Sequence, residues 1–215
     1  MKRVYRLLAL LLALCLTAGL LAGCDEDPND EEKLSVVMTG QFNTMDPAMA
    51  TTAAERTVVL HLFDNLLRWD GEKTVSAAAQ SWQETDNDDG TVTYTFHLRG
   101  DAVWSDGSSL TAEDFVYAWK RLVSPDTASP SADILSMVSG YDEARAGDSE
   151  ALQVSAPDEH TFEVTLSRPC AYFLSGVCTA SATMPVQQAA VESDEHWADS
   201  RTYFVGNGPF RRGGD

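Results

Sequence analysis

Apolar residues recur along the chain at two spacings, and each spacing predicts a different element. Over residues 92–99, Val92, Tyr94, Phe96 and Leu98 alternate with Thr93, Thr95, His97 and Arg99. A period of two predicts a strand with one buried face. Residues 81–85 precede it across the acidic stretch 86–90, so the pair reads as a hairpin whose turn relies on Gly90 for positive φ. A second alternating strand is predicted over 161–167, with Phe162, Val164 and Leu166 inward. Helical spacing appears over 53–67, where Val59, Leu62, Phe63 and Leu66 fall at i, i+3, i+4 and i+7 and leave His61 and Asp64 to solvent. Thr111 followed by Asp114 is a variant capping box opening another helix. Its stripe of Phe115, Ala118, Trp119 and Leu122 reads as core packing, and Pro125 lies past its end. A short apolar run at 34–38 predicts a buried strand, and 189–200 a further short helix containing Trp197. Ser105-Asp106-Gly107 and Gly206-Asn207-Gly208-Pro209 are turns. Strands and helices in this irregular order argue for an α/β or α+β domain rather than a barrel or a bundle.

The first 33 residues follow neither period. Lys2, Arg3 and Arg6 precede an unbroken apolar run at 7–16 that weakens at Thr17 and Gly19. That run is shorter than the roughly 20 residues a spanning helix needs, so residues 1–23 are expected to be a signal peptide. It ends Leu21-Ala22-Gly23-Cys24, which resembles the lipobox of bacterial lipoproteins and implies acylation of Cys24. Residues 24–33 are rich in Asp and Glu and read as a solvated acidic tether that an anionic membrane surface repels.

Charge narrows the partners. With 15 Lys+Arg against 33 Asp+Glu among 215 residues, the formal charge is −18. The three basic residues of the signal are part of that total, so the mature chain is more acidic still. Such a surface repels phosphate backbones, and nucleic acid is not expected as a partner. Cationic or zwitterionic ligands are favoured over anionic ones. The acids at 86–90 do not form a calcium loop, because the first and twelfth ligand positions would be Thr85 and Phe96. His61, His97, His160 and His196 are scattered, and the chain has no nucleophile elbow, phosphate loop or dinucleotide fingerprint. No catalytic residue, metal site or cofactor is expected. Cys170 and Cys178 stand eight apart, which leaves open either a small disulfide loop or two free thiols.

One long segment carries a family resemblance. His97-Leu98-Arg99, Val103-Trp104-Ser105-Asp106-Gly107 and the run from Leu110-Thr111-Ala112-Glu113-Asp114-Phe115 to Trp119-Lys120-Arg121 resemble a signature of the extracytoplasmic solute-binding proteins that serve oligopeptide and dipeptide ABC importers. Met45-Asp46-Pro47, Leu62-Phe63-Asp64-Asn65-Leu66-Leu67, Thr127-Ala128-Ser129-Pro130 and Gly206-Asn207-Gly208-Pro209-Phe210 keep the family's order and spacing. The resemblance covers essentially all of 34–210.

It implies a two-lobed, periplasmic-binding-protein-like (type II) α/β fold. Residues 34–215 would form the first lobe and its extra subdomain, with the second lobe lying beyond Asp215, since family members run more than twice this length. The implied function is a lipid-anchored, monomeric binding component that encloses a peptide outside the cytoplasmic membrane and delivers it to permease and ATPase subunits. A surface peptide sensor is an alternative. So is a member of the same family taking a sugar, nickel complex, opine or heme; an extracellular hydrolase is the remaining class. The loop after Asp46-Pro47 contacts peptide through its backbone in the family, which here implies Thr51, Thr52 and Ala53. That loop lacks the acid-glycine pattern of the best-known members, and Ser131 stands where the family often has an aromatic.

Overall fold

The alternation along the chain is kept in space. A computed structural model describes residues 42–199 and 204–210, all within the chain's unit Met38–Asp215. The chain enters through helix α1 (Ala53–Leu62) and a two-stranded ribbon, β1 (Leu67–Trp69) with β2 (Thr74–Ser76). It continues through β3 (Ala79–Asp86), β4 (Val92–Leu98), α2 (Ala112–Val123) and the short α3 (Tyr141–Arg145). Then come β5 (Val154–Asp158), β6 (Thr161–Leu166), a π-helical turn (Phe173–Val177) and α4 (Gln188–Ser193). Strands β3, β4, β6 and β5 form, in that order, one antiparallel sheet.

Registers Val92↔Leu166, Tyr94↔Val164 and Phe96↔Phe162 place the apolar members of β4 and β6 opposite one another on a single face. The other face carries a threonine ladder, with the Thr93 and Thr165 hydroxyls 3.1 Å apart and Thr95 donating to Glu163. On the apolar face lies α2. Its Phe115 and Trp119 rings sit 5.8 and 5.1 Å from that of Phe162, and Phe173 closes the cluster 4.7 Å from Tyr94. Trp119 satisfies its buried indole N–H on the Thr183 carbonyl at 3.0 Å. The predicted stripe of Phe115, Ala118, Trp119 and Leu122 is therefore core, and the hairpin turn is as expected, with Gly90 at φ +86°.

Two expected helices are corrected. Helix α1 stops at Leu62 rather than reaching 67, with Phe63 extended (φ −129°, ψ 154°). Remote groups take over the backbone there. The Gly208 N–H bonds the Leu62 carbonyl, and the Asn207 side chain accepts from the Asp64 N–H and donates to the Asp64 carbonyl. Both glycines of Gly206-Asn207-Gly208 are required by proximity: a Cβ would stand 2.3 Å from the Leu62 oxygen at Gly206 and 2.5 Å from its carbonyl carbon at Gly208. Asn65, 1% exposed, donates to the Ala180 carbonyl and the Thr183 hydroxyl and accepts the Leu66 N–H. His61 and Asp64 are accordingly half-buried rather than solvent-exposed.

Helix α4 is also shorter than 189–200, ending at Ser193. Asp194 is extended and turns its carboxylate onto the His196 N–H, which leaves Trp197 buried in the following turn. Of the two arrangements the spacing left open for Cys170 and Cys178, the structure has both as free thiols. They sit at either end of the π-helical turn, where the Phe173 N–H bonds the Cys170 carbonyl and the Cys178 N–H bonds the Phe173 carbonyl. Burial pushes the Cys178 thiol well above its ordinary pKa, so it is a packed apolar group rather than a reactive one. The strand predicted at 34–38, the signal peptide, Cys24 and the tether lie outside the described residues.

Candidate functional site

Residues 43–53 form a loop pinned at both ends by buried carboxylates. At its start, Asp46 (5% exposed) accepts the Ala48 N–H and grips Arg121 of α2 with both oxygens, at 3.0 and 2.6 Å. A two-point pair of this kind is among the stronger side-chain contacts because both N–H···O bonds are charge-assisted and their geometry is shared. The Arg121 guanidinium lies 5.9 Å from the centre of the Trp197 ring, and Trp197 stacks on Phe204 with planes 3° apart. Farther along, the buried Ser129 hydroxyl donates to the Ala48 carbonyl and accepts the Ser131 N–H. The sequence motifs Met45-Asp46-Pro47 and Thr127-Ala128-Ser129-Pro130 thus meet in space.

The far end of the loop closes on Glu55, 1% exposed in the first turn of α1. Its Oε1 accepts the Asn43 N–H at 3.0 Å and the Asn43 side-chain amide at 3.3 Å. Its Oε2 accepts the N–H groups of Thr51 and Thr52, each at 2.9 Å, and the Thr51 hydroxyl at 3.4 Å. The Glu55 N–H donates back to the Thr52 hydroxyl, completing a capping box. The Thr52 N–H is the largest influence on the Glu55 carboxyl. Together with the N–H groups of Thr51 and Asn43 it outweighs burial and lowers the pKa to about 2.

Of the residues implied as ligand-binding, Thr51 and Ala53 are exposed at the entry to α1, and Thr52 is its half-buried N-cap. The structure brings the three together on one turn. It also shows that the N–H groups of Thr51 and Thr52 are already engaged by Glu55. Phe42 and Met49, 43% and 37% exposed, flank the same loop with apolar surface.

Two cavities lie away from it. One of about 210 Å³ is lined by Asp64, Arg99, Asp101, Ser105 and the Gly206-Asn207-Gly208 turn. Burial raises the Asp64 carboxyl above the ordinary range, against the lowering influence of Arg68 and Arg99. The other, of about 420 Å³, lies between α2 and the β5–β6 pair and includes the Lys120–Glu150 ion pair. Among the described residues no cluster of three or more His, Cys, Asp or Glu side chains is placed to hold a metal, and no helix is long and apolar enough to cross a membrane.

Glu55 is not among the residues singled out from the sequence, although Thr52-x-x-Glu55 ahead of an apolar run is the capping-box signal that could have found it. The Asp46–Arg121 pair has no such signal, because nothing local links residues 75 positions apart.

The chain is similar to known proteins over most of its length. Residues 73–212 match the family described as bacterial extracellular solute-binding proteins, family 5 Middle. The periplasmic oligopeptide-binding protein OppA of Escherichia coli K12 is 40% identical over 176 residues, which cover 79% of this chain and 31% of that protein. The dipeptide-binding protein DppE of Bacillus subtilis 168 is 32% identical over 227 aligned positions, covering 98% of this chain and 41% of that one. Among solved structures, Haemophilus influenzae OppA in complex with RPPGFSPFR superposes with a TM-score of 0.73 at 35% identity, over 80% of this chain and 34% of that chain. The chain thus spans about a third to two fifths of the length of these relatives, and it shares their mixed α/β fold.

Proposed function

Because the chain belongs to the bacterial extracellular solute-binding proteins of family 5, we propose that it serves the capture of short peptides outside the cytoplasmic membrane for an ABC importer. In this reading the acylated Cys24 holds the protein to the outer face of the membrane, and residues 24–33 space it from the lipid. The domain from residue 34 contributes one lobe of a peptide-enclosing pair as a monomer and hands its ligand to permease and ATPase subunits. Thr51, Thr52 and Ala53 line the peptide side of that lobe. No catalytic step is assigned, since binding by enclosure requires only a shift between open and closed states.

The observation that carries the proposal is the match to peptide-binding relatives over about four fifths of the chain, with the family match running over residues 73–212. Within the 43–53 loop main-chain N–H groups are hydrogen-bonded to Asp46 and Glu55 without any ligand, and such pre-ordering lowers the cost of binding.

Titration of the chain with fluorescently labelled RPPGFSPFR, and with a pool of di- to pentapeptides, tests the reading. Saturable binding that tolerates changes in peptide sequence is expected. Affinity at least a hundredfold weaker than that of the Escherichia coli relative is consistent with part of the enclosing surface lying outside residues 34–215, a loss on the order of 3 kcal/mol. No saturable binding of any peptide, together with tight binding of a sugar or metal complex, would overturn the ligand class. Replacing Cys24 by Ser should leave an unlipidated precursor that partitions into the aqueous phase of a detergent extraction.

A further inference from the structure

We infer that Glu55 is the positioning residue of this site: its carboxylate sets the conformation of the 43–53 loop and so controls peptide affinity without itself touching ligand. The inference rests on the peptide-binding reading for its effect on affinity, but not for its effect on the loop.

An ionised carboxylate with 1% of its surface exposed persists only if nearly all its acceptor capacity is filled. Here the fill comes from one loop. Main-chain N–H groups of Asn43, Thr51 and Thr52 converge on the two oxygens, joined by the Asn43 amide and the Thr51 hydroxyl. Residues 12 apart in sequence are therefore drawn to one point, and the intervening 44–50 are closed into a fixed loop. Two consequences follow. The Thr51 and Thr52 N–H groups are turned inward, so at these two residues what the loop offers a ligand is carbonyls and side chains. The loop's shape also depends on the reach of a Glu rather than on its charge alone.

Helix α2 provides the internal control. There the equivalent place is held by Asp114, whose Oδ2 accepts the Thr111 N–H at 2.8 Å, the Thr111 hydroxyl at 3.2 Å and the Trp104 indole N–H at 3.2 Å. An Asp thus suffices to cap a helix in this protein. At Glu55 the two oxygens divide the work, Oε2 on Thr51 and Thr52 and Oε1 on Asn43, and a side chain one methylene shorter is expected to keep the first and lose the second.

The decisive variant is Glu55→Asp, compared with Glu55→Gln and wild type in the intact chain. Glu55→Asp should keep the α1 cap and unfold within a few degrees of wild type. The Asn43 and Thr51 amides should nonetheless exchange at least tenfold faster, while sheet amides such as those of Phe96 and Phe162 are unchanged. Affinity for labelled RPPGFSPFR should fall about tenfold. Glu55→Gln, which can keep its one oxygen on the Thr51 and Thr52 N–H groups but puts an amide donor against the Asn43 N–H, should weaken the cap and lose the loop. Unchanged Asn43 and Thr51 exchange in Glu55→Asp would overturn the inference, as would wild-type affinity in that variant. If the wild-type chain binds no peptide, the functional proposal fails, and the exchange measurement alone decides whether Glu55 positions the loop.

Discussion

The sheet with α2 and the region built from 43–65 and 204–210 are held together by different physics. In the first, apolar residues of β4, β6 and α2 meet on one face, and Phe96, Phe115, Trp119, Phe162 and Phe173 are each wholly buried. Polar groups enter that cluster rarely, as where the Trp119 indole finds the Thr183 carbonyl. In the second, backbone is held against backbone by side chains with fixed valence: Glu55, Asp46 with Arg121, Asn65 and Asn207. Hydrophobic burial is non-directional and tolerates small adjustments, whereas each polar knot works only with its partners in place. The first region supplies stability, and the second supplies shape at the surface where a ligand is proposed to bind.

Three measurements would break or sharpen that contrast. The largest effect is expected at Phe162, whose ring touches Phe96, Phe115 and Trp119 at centroid distances of 6.2, 5.8 and 5.1 Å. Phe162→Ala should cost about 3–5 kcal/mol in denaturant unfolding, through lost burial and a cavity the sheet cannot close. A loss under 1 kcal/mol would mean the aromatic cluster is not the stabilising centre.

Next is Arg121→Ala, which leaves the buried Asp46 carboxylate without its bidentate partner and should cost about 3 kcal/mol. Replacing both members with apolar residues of similar volume should cost much less, as double-mutant unfolding would show. Equal losses for the single and double variants would argue against an ion-pair role.

The smallest effect concerns pH. The Glu55 pKa is lowered to about 2, so its contribution is complete above the ordinary Glu range near pH 4.5 and is lost as pH falls from there towards 2. Wild type should exceed Glu55→Gln by about 2 kcal/mol at neutral pH, with the difference shrinking across that acidic window. A difference independent of pH would mean the side chain acts through packing rather than charge.

Local patterns were read most faithfully where burial alone decides the structure. The alternation at 92–99 and 161–167 and the stripe from Phe115 to Leu122 needed no knowledge of partners, because one apolar face predicts one buried face. Failures fell where a remote group captures the backbone. Nothing between residues 53 and 67 says that Gly208 and Asn207 will take the Leu62 and Asp64 backbone, so the apolar period ran on past the helix end. The same holds for 189–200, where the Asp194 side chain ends α4 and Trp197 is buried against Phe204 and Arg121 instead of on a helix face.

What the sequence determined by itself is the set of strands and helices with a single apolar face, the acidic surface, and the motifs that mark the family. Each of these depends on residue type and short spacing. Only the tertiary structure decided where α1 ends, and that Asp46 belongs to Arg121 and Asn43 to Glu55. Those outcomes are pairings between distant positions. A directional hydrogen bond or ion pair has no signature in the chain until folding brings its two halves within about 3 Å.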